Sequence, residues 1–354
     1  MTWIAVLLLL LPLAGCRDES PVYNFHFNAD QGPVDLAIVG VKRQEAELAS
    51  RQIEEDLKSM WQSWGAPDAA NLGRVNDLLS GGKPFAAPPC ILPLVRKSQE
   101  LATASGHLFN PAIGKLIDLW GFQAGEPGRR RVPPDKARIE ALVKAGPRMD
   151  DIRIDGIQLA SGNPSVKLDF GFIGKGYAID QAVDQLRELG IHNAIVNVGG
   201  DLRAIGTRGG QPWPVALRNP IGGGVLAILQ VSGDESVFTS GDYKLNFTHK
   251  GKTYHHVIDP RTGWPAEEAR LVTLIHEDAT RAEAAATALM IAGPELWHQT
   301  AVAMGVRSVL LIDPRGRIHM DPSMAERVEL LDRNAEIMPV PPLEPGDAWT
   351  LPGS

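Results

Sequence analysis

The stretch that most restricts the fold of this 354-residue chain is "LDFGFIGKGYAID", Leu168–Asp180. It joins what reads as a strand to what reads as a helix. The turn between them holds Gly171, Gly174 and Gly176, with Lys175 among them. Glycines let backbone approach a neighbour closely, and N–H groups exposed at such a turn receive phosphate. Yet the spacing is not that of the common nucleotide loops. The Walker pattern needs G-x-x-x-x-G-K-[ST]; here the glycines are too close and no hydroxyl follows the lysine. The pattern G-x-G-x-x-G is absent as well.

Around this turn helices and strands alternate irregularly. That favours a mixed α/β (α+β) fold, with mixed and antiparallel sheets flanked by helices, over a doubly wound parallel sheet. A helix is predicted over Gln44–Trp64, with Ile53, Leu57, Met60, Trp61 and Trp64 on one face. A second covers Leu94–Thr103. A third takes Asn110 as its N-cap and Pro111 at its first position, burying Ile113, Leu116, Ile117 and Trp120. Further helices are expected over Lys136–Lys144, after Lys175 (face Ile179, Val183, Leu186, Leu189), and over Arg281–Ile291, stopped by Gly293-Pro294.

Ile152–Leu159 reads as a hairpin around Asp155-Gly156, and a third strand leads from it into Leu168. Asn193–Gly206 reads as strand, Gly-Gly turn, strand. More strands are expected near Val215–Arg218, Val225–Val231, Ser236–Thr239, Lys252–Val257, Leu271–His276 and Ser308–Ile312. Gly125–Pro134 is a polar loop, and Pro339–Ser354 a Pro-rich extended tail.

The amino terminus reads as a targeting segment. The apolar run Ile4–Gly15 has signal-peptide length and ends in Leu13-Ala14-Gly15-Cys16. Residues 1–15 are expected to be a signal peptide, cut before Cys16, which is then lipidated. Met1-Thr2-Trp3 lacks the usual Lys or Arg. Residues 16–29 read as a linker, and 30–338 as the folded domain. Cys90 then has no partner for an intramolecular disulfide. It reads as a small structural residue, so stability must come from the core. A net charge of −7 argues against a nucleic-acid partner.

Five segments gather polar groups at expected strand ends: Asp169–Asp180, "NVGGD" (Asn197–Asp201), "TSGDY" (Thr239–Tyr243), "HHVIDPRTGWP" (His255–Pro265) and "TRAEAAATAL" (Thr280–Leu289). Asp259–Gly263 is by itself simply a good turn. In the last segment, Thr280 and Glu283 have capping-box spacing. Glu283 and Thr287 also share a helical face, where a carboxylate and a hydroxyl suit Mg²⁺. Both readings stand at this point. No Cys/His cluster has zinc-ligand spacing.

The five segments in order, with "FNPAIGKLIDLWGF" upstream, resemble the ApbE family, the FAD:protein FMN transferases. The family signatures they look like are D-x-G-x-x-x-K-G-Y-x-x-D, N-x-G-G-D, V-x-T-S-G-x-Y, H-I-x-D-P-x-T-G-x-P and A-D-A-x-x-T-A. The resemblance spans roughly residues 30–312. It implies an FAD site in a cleft between subdomains, Mg²⁺, and transfer of FMN from FAD to a Thr or Ser hydroxyl of a target protein, with AMP leaving. The family's acceptors carry a D-G-x-T-G-x-T-like segment and are membrane redox subunits on the periplasmic side, which fits a lipid anchor on a bacterial envelope protein.

By the same resemblance, Asp169 and Lys175 contact FAD, Lys175 near its diphosphate. The Phe172 carbonyl, Glu283 and Thr287 bind metal. His256 lies near the diphosphate as base or phosphate ligand. Phe109 and Asn110 contact flavin, and Thr239, Ser240 and Gly241 line the cleft. Three departures stand out. Glu283 replaces the family's usual Asp, moving the carboxylate by about 1 Å. Asn110 stands where Asp is commoner. "DQGPVDLAIV" (Asp30–Val39) replaces the family's Met-Gly-Thr region. Two other readings of the same site stand as alternatives: an FAD pyrophosphatase yielding FMN and AMP, or a non-enzymatic FAD-binding lipoprotein.

Overall fold

The structure, a computed structural model, describes residues 21–29, 31–64, 70–122, 132–221, 223–332 and 335–343. Cys16, the expected signal peptide, most of the Gly125–Pro134 loop and residues 344–354 lie outside them.

In chain order, β1 (Val22–Ala29) and β2 (Gly32–Val39) precede α1 (Arg43–Trp64), α2 (Ala70–Ser80), β3 (Phe85–Ala86), α3 (Leu92–Ala104), α4 (Gly114–Trp120) and α5 (Lys136–Ala145). The hairpin β4 (Ile152–Asp155) and β5 (Gln158–Ser161) comes next, then α6 (Gly174–Glu188), β6 (Asn193–Val198) and β7 (Asp201–Gly206). Strands β8 (Trp213–Arg218), β9 (Val225–Val231), β10 (Gly233–Gly241), β11 (Asn246–His249), β12 (Lys252–His255) and β13 (Leu271–His276) lead to α7 (Ala279–Ala303). The chain closes with β14 (Ser308–Ile312), β15 (Ile318–Met320), α8 (Pro322–Ala325), β16 (Val328–Leu330) and β17 (Ile337–Pro339).

Nine strands form one sheet in the order β1-β2-β6-β7-β10-β13-β14-β15-β17, antiparallel except for β15 with β17. Alternation along the strands sends two apolar sets to opposite faces. On one face Leu36, Ile38, Val196 and Leu274 pack with α1, α6 and α7. On the other, Leu202, Ala204, Val237 and Leu310 pack with the small sheet β8-β9-β16. A third cluster, Ile113, Leu116, Trp120, Phe122, Ile139 and Ile258, sits beside the hairpin β11–β12. The mixed α/β expectation is met. Trp61 and Trp64 are buried in the core, as their helical spacing implied.

Several local expectations are corrected. Residues 22–29, read as linker, form β1 and pair with β2 along their length. Asn110 is not an N-cap. Helix α4 starts at Gly114, because the preceding backbone pairs with residues 167–169 (Asp169 N to Pro111 O, 2.9 Å; Gly114 N to Lys167 O, 2.8 Å). The third strand before Leu168 shrinks to the single bridge Ile113–Lys167. Leu189 ends α6 as an exposed cap residue instead of extending its buried face.

Gly293-Pro294 does not end α7 but kinks it. Gly293 takes φ 65°, ψ −176°, and helix resumes to Ala303. Proline fits the first turn of the second segment, whose N–H groups need no partner within the helix. The expected tail begins ordered: Leu343 is buried in the core, and His298 Nε2 bonds the Pro341 and Pro342 carbonyls.

Candidate active site

Two helix starts meet at the site. Gly176, in the first turn of α6, lies so close to α7 that an added Cβ would sit 2.3 Å from the Ala279 carbonyl oxygen. Its N–H donates to Glu283 Oε2 at 2.7 Å. The start of α7 is held from outside as well. Asp180 accepts from Ala279 N (2.9 Å), Thr280 N (2.8 Å) and the Thr280 hydroxyl (2.5 Å), and it pairs with Arg203. The N-cap is Asp278, which accepts from Arg281 N. The Thr280–Glu283 capping box therefore does not form. Glu283 is released from its own helix and faces α6.

The carboxylate is buried in this position. Burial pushes Glu283 up to about 7, against the opposing pull of Lys175 and the Gly176 N–H. Thr287, one turn on, lies beside it and donates to the Glu283 carbonyl at 3.2 Å. Among the described hydrogen bonds none ends on Glu283 Oε1 or on the Phe172 carbonyl. The Gly176 N–H, spent on Glu283, is the group that a continuing α-helix would direct at that carbonyl.

Opposite stands an ion-pair cluster. Asp201, at the start of β7, is 4% exposed and accepts from Lys175 Nζ at 2.7 Å and Lys244 Nζ at 3.3 Å on the same oxygen. Its other oxygen takes the Thr239 N–H at 2.8 Å. Burial opposes the charge on Lys175, but Asp201 and Glu283 outweigh it and raise its pKa. Lys244 goes the other way: burial, with repulsion from Lys175, lowers it despite Asp201. Asp201 itself stays ionised, since the two lysines outweigh its burial.

The two histidines divide the work. His255 is locked in structure, its Nε2 on the Ala266 carbonyl and its Nδ1 accepting from Val257 N. His256 Nδ1 meets the Leu245 carbonyl at 3.2 Å, so Nδ1 carries the proton and Nε2 is left as acceptor. The ring stacks on Phe172 with centroids 5.3 Å apart. Burial, with His255 and Lys244 nearby, lowers His256 to about 3, which keeps the imidazole neutral.

Lys175, Phe172, Glu283, Thr287, His256, Thr239 and Ser240 thus come together around one polar cavity of about 60 Å³. Phe109, Asn110 and Asp169 line a smaller apolar cavity that shares Phe172 and Thr287 with it. Burial raises Asp169 to about 6, despite the Gly171 N–H it accepts. Gly241 lines neither. Its added Cβ would strike the Tyr243 ring at 2.5 Å, so its lack of a side chain serves packing. The Asp259–Gly263 turn is architectural too: the Gly263 carbonyl accepts the Trp120 indole N–H at 2.8 Å.

Sequence reasoning missed Lys244 as a site residue, and it left Asp201 as one member of "NVGGD" without a role. The signal for Asp201 was the acid placed directly after a Gly-Gly turn. Lys244 carried none, being a single lysine after "SGDY".

A model of the ApbE family matches residues 33–310. The FAD:protein FMN transferase of Rhodobacter capsulatus is 35% identical over 83% of this chain, which spans only 56% of that longer protein. The protein of the same name from Vibrio cholerae is 29% identical, covering 88% of this chain and 93% of its own length. The solved ApbE structure from Thermotoga maritima superposes with a TM-score of 0.78 at 28% identity, over 87% of this chain and 99% of that one. The apo flavinyl transferase ApbE of Pseudomonas stutzeri gives 0.74 at 26%, over 87% and 97%. This chain belongs to the ApbE family.

Proposed function

We propose that the protein is an exported, Mg²⁺-dependent FAD:protein FMN transferase. The observation that carries this is the single polar cavity shared by Lys175, Glu283, Thr287 and His256. In the reaction, an oxygen of an acceptor Thr or Ser bonds to the FMN phosphorus of FAD. The bond from that phosphorus to the bridging oxygen breaks, and AMP leaves with the electron pair.

Lys175, mostly shielded and held by Asp201, offers a fixed positive charge to the phosphates. Phe109 and Asn110, beside Asp169 in the adjoining apolar cavity, suit the flavin end. The neutral His256 offers Nε2 to the acceptor hydroxyl.

The oxygen donors fit Mg²⁺: a carboxylate with one oxygen unclaimed, a hydroxyl one turn along, and the Phe172 carbonyl. Among the described residues no three His, Cys, Asp or Glu side chains cluster as an alternative metal cage. When bound there, Mg²⁺ supplies charge neutralisation to the diphosphate. Export and lipidation rest on Ile4–Gly15 and Cys16, which would set the enzyme on the periplasmic side of a membrane, facing redox subunits as acceptors. Among the described residues no helix is long and apolar enough to cross a membrane.

The deciding experiment mixes the protein with FAD, Mg²⁺ and an acceptor carrying a D-G-x-T-G-x-T segment. In-gel flavin fluorescence on the acceptor is expected. An unlabelled acceptor, with a validated transferase succeeding in parallel, overturns the proposal. Fast AMP release without acceptor makes the enzyme a pyrophosphatase. Palmitate labelling that survives Cys16→Ser would overturn the anchor.

A further inference from the structure

Lys244 has no role in the reading above, yet it reaches into the same cavity. It follows β10, and its ammonium bonds the Thr239 carbonyl at 2.6 Å and Asp201 Oδ2 at 3.3 Å. Lys175 bonds that same oxygen at 2.7 Å. Lys244 is 29% exposed, Lys175 17% and Asp201 4%.

A buried aspartate needs no such arrangement for stability. Lys175 and the Thr239 N–H already satisfy Asp201. Bringing a second ammonium to one carboxylate oxygen sets two like charges within a few ångströms, which is unfavourable in a poorly hydrated cavity. Glu283 is the other acid lining this cavity; with its carboxylate given to the metal, the two ammonium groups share Asp201 alone, which leaves positive charge for a further anion. Each ammonium has three donors, so both lysines keep donors beyond those spent on Asp201 and Thr239.

We propose that Lys244 is a second phosphate-binding lysine, clamping the diphosphate of a dinucleotide together with Lys175, while Asp201 holds both ammonium groups at the mouth of the cavity. The inference rests on the FAD reading of the cleft. It adds a selectivity. Two cations on adjacent phosphates favour a diphosphate over a monophosphate, and leave a phosphate-free flavin untouched.

The test measures equilibrium binding with no acceptor protein present. FAD, FMN and riboflavin are titrated by flavin fluorescence, with Mg²⁺, into the wild type, Lys244→Met and Lys244→Arg. Lys244→Met should weaken FAD about tenfold or more, weaken FMN less, and leave riboflavin unchanged. Lys244→Arg should bind FAD within a few-fold of wild type. An unchanged FAD affinity in Lys244→Met overturns the proposal. So does an equal loss for riboflavin, which marks collapse of the cleft, or a Lys244→Arg variant as weak as Lys244→Met. A wild type that binds FAD but labels no acceptor overturns the transferase reading and leaves this result standing.

Discussion

The Gly176 N–H donates to Glu283 Oε2 at 2.7 Å, across 107 residues of chain. This bond ties the start of α6 to α7 and fixes the carboxylate where Lys175 and Thr287 converge. Glu283→Gln keeps an acceptor for Gly176 but removes the charge. FMN transfer should fall by about a hundredfold or more, while the melting temperature holds or rises, since a buried carboxyl pushed to about 7 is a cost to folding. Parallel transfer assays and thermal melts check this. A collapse in melting temperature would make the residue structural.

Gly176→Ala should fail for the opposite reason. Its Cβ would lie 2.3 Å from the Ala279 carbonyl oxygen and 2.8 Å from Thr280 Cα, both rigid backbone. The helices must part, at about 1–3 kcal/mol, and the Glu283 bond goes with them. Urea unfolding should show the loss. An alanine variant as stable as wild type would refute the close packing.

Asp180 is the second brace. Asp180→Ala removes an acceptor from Ala279 N, Thr280 N and the Thr280 hydroxyl, and leaves buried Arg203 with Asp234 alone. A loss of about 3 kcal/mol is expected. Asp180→Asn, which keeps an acceptor, should lose less. Equal losses in chemical denaturation would contradict the capping role.

Asp169 should write its burial into the pH dependence of stability. Its carboxyl moves from 3.8 to about 6 in the fold. Between those values the folded state holds a proton that the unfolded chain has released. Stability therefore falls as pH rises from about 4 to 6, by roughly 2–3 kcal/mol from this group. Asp169→Asn should flatten that slope and be more stable than wild type above pH 7, while binding FAD more weakly. Parallel stability curves for the two proteins from pH 4 to 7 would exclude it.

Much of this was legible in the residues. The strands Val225–Val231, Leu271–His276 and Ser308–Ile312 fall where their apolar runs placed them, because such runs have few ways to be buried. The polar segments named the cavity's Lys175, Glu283, Thr287 and His256. What misled were local rules that tertiary contacts overrode. Asn110 looked like a cap, but its neighbours' backbone groups were already claimed by residues 167–169. Gly293-Pro294 looked like a stop, but a proline that ends one helix equally begins another.

The sequence by itself determined the family and the polar segments that line the cavity, since motifs, periodicity and turn chemistry are written in near neighbours. Only the tertiary structure decided that Glu283 serves α6 instead of capping α7. It alone separated the structural His255 from the available His256, and brought Lys244 to the carboxylate that Lys175 already holds. Those choices depend on which buried groups find partners far along the chain, and that is settled when the sheet and the two helices pack.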